Sequence, residues 1–241
     1  MSSAYSPNEL IACVMARSFR DGEVVVMGAV PALPLAACRL ARALHAPSLS
    51  YIVGGSGTVN PAAPALTSQS CDPELRGGPV ALPLPDVVLL EGRGDALDVF
   101  CAGGLQIDAL GNCNLVCVGD PARPKLRGPG SVGLPFLPAV RRTVIYTLAH
   151  SPRTFVERVD FVSGAGDTAE LVVTPLATMD FDPESRRMRL ASTHPGVTVE
   201  EVREQTGFVL AAPDEVPETP APAAEELAEL RRIDPAGVLR G

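Results

Sequence analysis

The chain has 241 residues, 46% of them apolar, and a formal net charge of −8 from 20 basic and 28 acidic side chains. That apolar content excludes a disordered chain, and the acidic balance argues against a broad nucleic-acid surface. Aromatic residues amount to 4% and tryptophan is absent, so a base-stacking platform is not expected either.

From the N-terminus, Leu10, Ile11, Val14, Met15 and Phe19 recur at helical spacing after Asn8, a residue suited to an N-cap. Asn8, Glu9 and Arg17 interrupt what a secretory leader would keep apolar, and no run reaches the ~18–20 apolar residues of a membrane span. A soluble, cytoplasmic protein is the expectation. Asp21-Gly22 breaks the helix, and residues 23–27 then read as a buried strand. A second helix over 34–44 and a strand over 49–53 follow. This alternation predicts an α/β fold with a mainly parallel sheet flanked by helices. Ligands in such sheets bind beyond the carboxyl ends of the strands, and a glycine turn, Gly54-Gly-Ser-Gly-Thr58, sits at one such end.

Residues 60–86 are rich in Pro, Ala and Gly and have no clear assignment. Strands are expected over 86–90, 99–102, 115–118, 142–148 and 171–174, with a helix over 153–161. A hairpin pairs 179–181 with 188–191 around Asp182-Pro-Glu-Ser185. Thr198 with Glu201 forms a capping box for a short helix. The organisation expected is an α/β domain over 1–210, then a Pro/Ala/Glu-rich linker and a C-terminal helix over 211–241.

The candidate chemistry is sparse. The six cysteines lack the tight pairing of a metal knuckle and read as small core residues. His45, His150 and His194 lie near prolines at element ends, the setting of solvated or capping imidazoles, and no Ser/His/Asp arrangement is visible. Ser56 lacks the glycine that a nucleophile elbow needs at position 58 and reads as a polar turn residue or a donor to a ligand. Gly128-Pro-Gly-Ser-Val-Gly133 has the letters of a dinucleotide fingerprint in the wrong context, since Pro129 removes a donor and no helix is expected after it. Arg123, Lys125 and Arg127 precede that turn, either as phosphate or carboxylate binders or as a solvated basic loop. Gln106, Asp108, Asn112 and Asn114 around Gly111 read from spacing alone as a polar hairpin turn, with ligand-facing amides as the alternative.

The order of these motifs resembles the β subunit of family I coenzyme A transferases, of the glutaconate CoA-transferase type. The most specific stretch is Phe100-Cys-Ala-Gly-Gly-Leu-Gln-Ile-Asp-Ala-Leu-Gly-Asn-Cys-Asn114. Gly119-Asp120, the 128–133 turn, Val159-Asp-Phe-Val162, Leu171-Val-Val-Thr174, Phe181-Asp182, Arg187-Met188, Thr206-Gly-Phe208 and Ile233-Asp-Pro235 extend it over nearly the whole chain. In that family a glutamate after Ile-Val attacks the acyl-CoA thioester. Here Gly54 follows Ile52-Val53, and a hydrogen atom cannot act as a nucleophile.

The same loss marks a subgroup that the chain resembles, the β subunit of a heteromeric hydrolase opening the last ring in steroid (cholesterol) catabolism. That resemblance implies C–C hydrolysis of a cyclic β-keto acyl-CoA by water. It places the base on an α subunit and no catalytic side chain on this one, in an assembly of two α and two β chains. It implies an acyl-CoA site built from Gly54, Gly55, Ser56, Gly57, Gly103, Gly104, Gln106, Asn114, Gly130, Ser131 and Gly133; Arg127 is added for its charge and place. No metal or separate cofactor is implied, because coenzyme A is part of the substrate. A true CoA-transferase with its nucleophile elsewhere and a non-catalytic scaffold subunit are the competing readings.

Overall fold

A computed structural model describes residues 4–63 and 66–240. The chain forms two compact units, residues 1–101 with 222–241 and residues 102–221. The boundary read from sequence at 210–211 differs from these divisions.

The first unit starts with α1 (Pro7–Ser18), β1 (Val24–Met27), α2 (Ala32–Leu44), β2 (Ser50–Val53), β3 (Thr58–Val59), β4 (Val80–Ala81), α3 (Leu84–Glu91) and β5 (Val99–Ala102). β1 lies between β2 and β5, parallel to both. β3 and β4 continue the sheet antiparallel beyond β2. The Val-rich β1 has buried neighbours on both faces, so it reads as an uninterrupted apolar run. α1 and α2 cover the sheet with Ile11, Met15, Leu35 and Leu40, each at most 1% exposed. The expected N-cap shifts from Asn8 to Ser6. The Ser6 hydroxyl accepts the Glu9 amide and the Glu9 carboxylate accepts the Ser6 amide, with Pro7 at the first helical position. The C-terminal helix, Ala224–Ile233, returns to this unit, where Glu226 pairs with Arg17 and Arg231 with Glu9.

α3 replaces the strand expected over 86–90. Pro83 precedes it, Pro85 lies in its first turn, and Asp86 favours its positive N-terminal end. Its inward face is Val87 and, one turn on, Glu91; Leu84, Val88 and Leu89 point outward. The Val-Val-Leu-Leu run mimics a strand in propensity, but burial follows helical spacing.

The second unit comprises β6 (Gln106–Asp108), β7 (Cys113–Asn114), β8 (Cys117–Val118), β9 (Leu126–Arg127), β10 (Arg142–Tyr146), β11 (Phe155–Val156), β12 (Ala169–Val173), β13 (Ala177–Phe181), β14 (Met188–Thr193) and α4 (Val199–Glu204). β10 and β12 are parallel; β13 and β14 add on antiparallel as the expected hairpin. Thr198 caps α4, its hydroxyl accepting the Glu201 amide, but the return bond from the Glu201 carboxylate that completes the expected capping box does not form among the described residues. The expected helix over 153–161 is instead a turn and β11, which pairs with β6. Residues 211–221 run extended along β14, held by bonds from Leu190 to Ala211 and from Thr193 to Pro217. A short 3-10 helix, Leu134–Ala139, follows the 128–133 turn where the sequence predicts none. Among the described residues no helix is long and apolar enough to cross a membrane. The molecule is an α/β protein with parallel sheet cores and flanking helices, as its sequence pattern predicts.

Candidate functional site

β2 ends at Val53, and the chain reverses through Gly54-Gly-Ser-Gly into β3. The Gly54 amide donates to the Met27 carbonyl at 3.0 Å and the Gly57 amide to the Val53 carbonyl at 2.9 Å. Each glycine has a different reason. Gly57 lies at φ +67° and a Cβ there would collide with the Leu82 carbonyl. A Cβ on Gly55 would collide with the Ser70 hydroxyl. At Gly54 a Cβ would stand 3.0 Å from the Met27 carbonyl oxygen, tight but nearly tolerable. Ser56 is turned into the bend: its hydroxyl donates to the Val53 carbonyl and accepts the Thr58 amide, both at 3.3 Å. That engagement matches a turn residue. The Gly55 and Ser56 amides donate no hydrogen bond among the described residues, so the turn leaves two successive N–H groups without an acceptor. Below them, the fully buried Thr58 hydroxyl also lacks a partner among those residues.

One acid that the sequence reading does not single out stands against this turn. Glu91, at the end of α3, is 6% exposed, and its Oε1 comes within 3.8 Å of a Cβ built on Gly54. Among the described residues it makes no hydrogen bond or ion pair. Burial alone pushes its carboxyl up to about 7. One turn earlier, Val87 reaches 3.4 Å from the Cβ position of Gly57, so the inner face of α3 lies along the turn. The available signal is the four-residue spacing of Val87 and Glu91, which a strand reading of the segment hides.

In the second unit, β5 runs on into Gly103-Gly104. A Cβ on Gly103 would lie 3.1 Å from the Tyr146 carbonyl oxygen, and one on Gly104 would lie 2.7 Å from that of Gln106. Gln106 and Asn114 face each other across β6 and β7, and their side chains are engaged within the chain. The Asn114 amide donates to Gln106 Oε1 at 2.7 Å and to the Cys117 carbonyl at 2.6 Å, while its oxygen accepts the Val116 amide at 2.9 Å. Gln106 donates to Asp160 Oδ2 at 2.9 Å. Asp108 accepts from the Leu110 and Asn112 amides and from Asn112 Nδ2, each at 3.0 Å. This is the polar hairpin read from spacing, here with all its amides bonded.

The 128–133 turn packs beside that hairpin. The Gly128 amide donates to the Val116 carbonyl at 2.8 Å, and a Cβ on Gly128 would collide with the Leu115 carbonyl. Gly130 lies at φ +103° in open space, and Ser131 and Gly133 are half-buried. Arg123, Lys125 and Arg127 are exposed. The candidate residues therefore fall into two sets: 54–57 at the end of β2, and Gly103, Gly104, Gln106, Asn114, Arg127, Gly130, Ser131 and Gly133 in the second unit.

His45 keeps its expected setting, exposed as the C-cap residue of α2, while the other two histidines depart from theirs. His194 is 3% exposed and bonds Thr219 and the Thr174 carbonyl. His150 bonds Thr174 and Thr206 through its two ring nitrogens, and burial pulls it down to about 4. His45 contacts the Phe19 carbonyl. Five cysteines are buried as expected, while Cys71 is exposed. No group of three or more His, Cys, Asp or Glu fit for a metal occurs among the described residues.

Known proteins share this fold. Residues 9–205 match the family described as Coenzyme A transferase. The chain is 31% identical to the B-type subunit of the 3-oxoadipate CoA-transferase of Pseudomonas knackmussii, over 96% of this chain and 94% of that protein. It is 30% identical to the cholesterol ring-cleaving hydrolase IpdB subunit of Mycobacterium tuberculosis, over 94% of each. The crystal structure of the decarboxylase AibA/AibB superposes with a TM-score of 0.88 at 28% identity, covering 98% of this chain and 97% of that one. These relatives carry three different reactions on one fold, so the family alone does not choose among them. The chain belongs to the coenzyme A transferase family, as a relative of its B-type subunits.

Proposed function

We propose that this chain is the B-type subunit of a heteromeric acyl-CoA hydrolase that opens the ring of a cyclic β-keto acyl-CoA, working with an A-type partner. The observation that carries the reading is Gly54 directly after Ile52-Val53, the place where the resemblance to the family puts the transferases' nucleophilic glutamate. Without that carboxylate, no acyl-glutamyl intermediate forms at residue 54. Water then attacks the ring ketone. Its oxygen bonds to that carbon, the bond to the neighbouring α-carbon breaks, and the electron pair moves into the thioester as an enolate. A carboxylate of the partner takes the proton from water. The Gly55 and Ser56 amides are suited to hold the enolate oxygen, a contribution of ~3 kcal/mol to the barrier for a well-placed donor.

Reconstitution tests this. The chain alone should be inert, and adding the A-type partner should restore ring opening with one oxygen from labelled water in the new carboxylate. Turnover by the isolated chain, or product without label, refutes it. A transferase reading is favoured by one observation, the Glu91 carboxyl beside Gly54. It requires a covalent thioester on this chain, which hydroxylamine would trap.

A further inference from the structure

Among the described residues four acidic side chains are almost fully buried, and three of them are bonded. Glu9 pairs with Arg231 at 3.0 Å and accepts the Ser6 amide at 2.8 Å. Asp108 binds the Asn112 side chain and two backbone amides. Asp234 accepts the Val238 amide at 2.8 Å and the Leu239 amide at 2.9 Å. Glu91 has no such partner among the described residues. Its oxygens are unpaired but not fully enclosed, since Thr58 Oγ1 is the one fully buried side-chain polar atom without a partner among the described residues, and unpaired carboxyls held in a protein interior concentrate where chemistry is done.

Its position fits that use. Oε1 lies 3.8 Å from where a side chain on residue 54 would begin, beside the two free amides of the turn. A glutamate at 54 would bring a second carboxyl close to this one, where two charges repel. Gly54 and Glu91 therefore suit each other: the missing side chain leaves room in front of the carboxyl.

We propose that Glu91 is the proton-transferring carboxyl this chain contributes to the acyl-CoA site, an inference that rests on the functional reading above. Its neutral form gives its proton to the α-carbon as the carbon–carbon bond breaks, converting the enolate to the thioester product and leaving Glu91 as carboxylate. The partner's base meanwhile holds the proton taken from water. Exchange with solvent returns both groups to their starting forms, so one water is consumed and no oxidant or reductant is required. A carboxyl held up to about 7 by burial is matched to this task, since it keeps and releases a proton near neutral pH. No charged neighbour contributes to that shift, which leaves burial as its cause.

The test uses the assembled complex with 2-oxocyclohexane-carbonyl-CoA as the probe. Glu91→Gln should lower kcat by on the order of 100-fold or more with KM within about threefold, and should erase the limb of the kcat pH profile near neutrality. Glu91→Asp should restore part of the rate and keep a limb. A kcat within threefold of the parent in Glu91→Gln, with co-purification of the partner intact, overturns the assignment. So does a hydroxylamine-sensitive thioester on Glu91, which would make it a nucleophile. If the parent complex instead exchanges CoA between carboxylic acids without opening the probe, the hydrolase reading fails. Retention of that exchange in Glu91→Gln then removes Glu91 from the site, and its loss together with a thioester trapped at Glu91 in the parent makes Glu91 a nucleophile and overturns the assignment.

Discussion

Asp108 in the second unit and Glu91 in the first are both buried acids, 2% and 6% exposed, and they are treated in opposite ways. Asp108 is surrounded by donors from its own hairpin: the Leu110 and Asn112 amides and the Asn112 side chain. Glu91 faces a glycine turn and has no donor among the described residues. Asp108 and its neighbours Gln106 and Asn114 form a polar motif conspicuous in sequence, yet their bonds hold a β-turn together. Glu91 sits in an inconspicuous Leu-Leu-Glu-Gly run and is the group left available. Burial alone does not separate the two; an account of each polar atom's partners does.

Removing Asp108 should produce the largest stability effect. Asp108→Ala leaves the Leu110 and Asn112 amides without their acceptor inside the fold, and a loss of about 3 kcal/mol or more is expected in urea unfolding. A loss under 1 kcal/mol would mean that the hairpin does not depend on that carboxylate.

The two units should also respond to pH in opposite directions. The folded value of His150, about 4, lies below its unfolded value, so the unfolded chain takes the proton first. Stability is kept above pH 6.5 and falls as pH drops toward 4, by on the order of 3 kcal/mol from this group. Glu91 is the reverse. Its folded value, about 7, is raised above 4.5, so its contribution is intact below pH 4.5 and is lost as pH rises through 7. Glu91→Gln should therefore stabilise the protein at pH 8 by about 2 kcal/mol and do little at pH 5, read as Tm against pH. A variant equally stable at both values would mean that the carboxyl is solvated. The smallest change belongs to the orphaned hydroxyl beneath the turn: Thr58→Val should be neutral or stabilising by up to ~1 kcal/mol, measured by thermal unfolding.

What the sequence reveals follows the range of the forces involved. The Leu10–Phe19 periodicity, the Val-rich strands, the Thr198 cap and the Asp182 hairpin are set by near neighbours, and they fold as read. The family is visible because the 100–114 motif combines glycines that backbone approach requires with side chains bonded in their own hairpin. α3 is hidden because Val87-Val-Leu-Leu90 has strand propensity, while the prolines at 83 and 85 and the Val87–Glu91 spacing favour a helix. The bonds of His150 to Thr174 and Thr206 join distant segments, so an element-end reading cannot find them. The meeting of Gly54 and Glu91 is likewise tertiary: it exists only once α3 has packed its inner face along the turn.

The proposed chemistry depends on the missing side chain at residue 54 diverting the reaction from covalent transfer to water. Intact-mass analysis of the assembled complex, incubated with acyl-CoA and quenched with borohydride or hydroxylamine, tests that most directly. The account predicts an unmodified chain alongside full ring opening. A stoichiometric adduct on any carboxylate of this chain, formed and consumed at the rate of turnover, would contradict it.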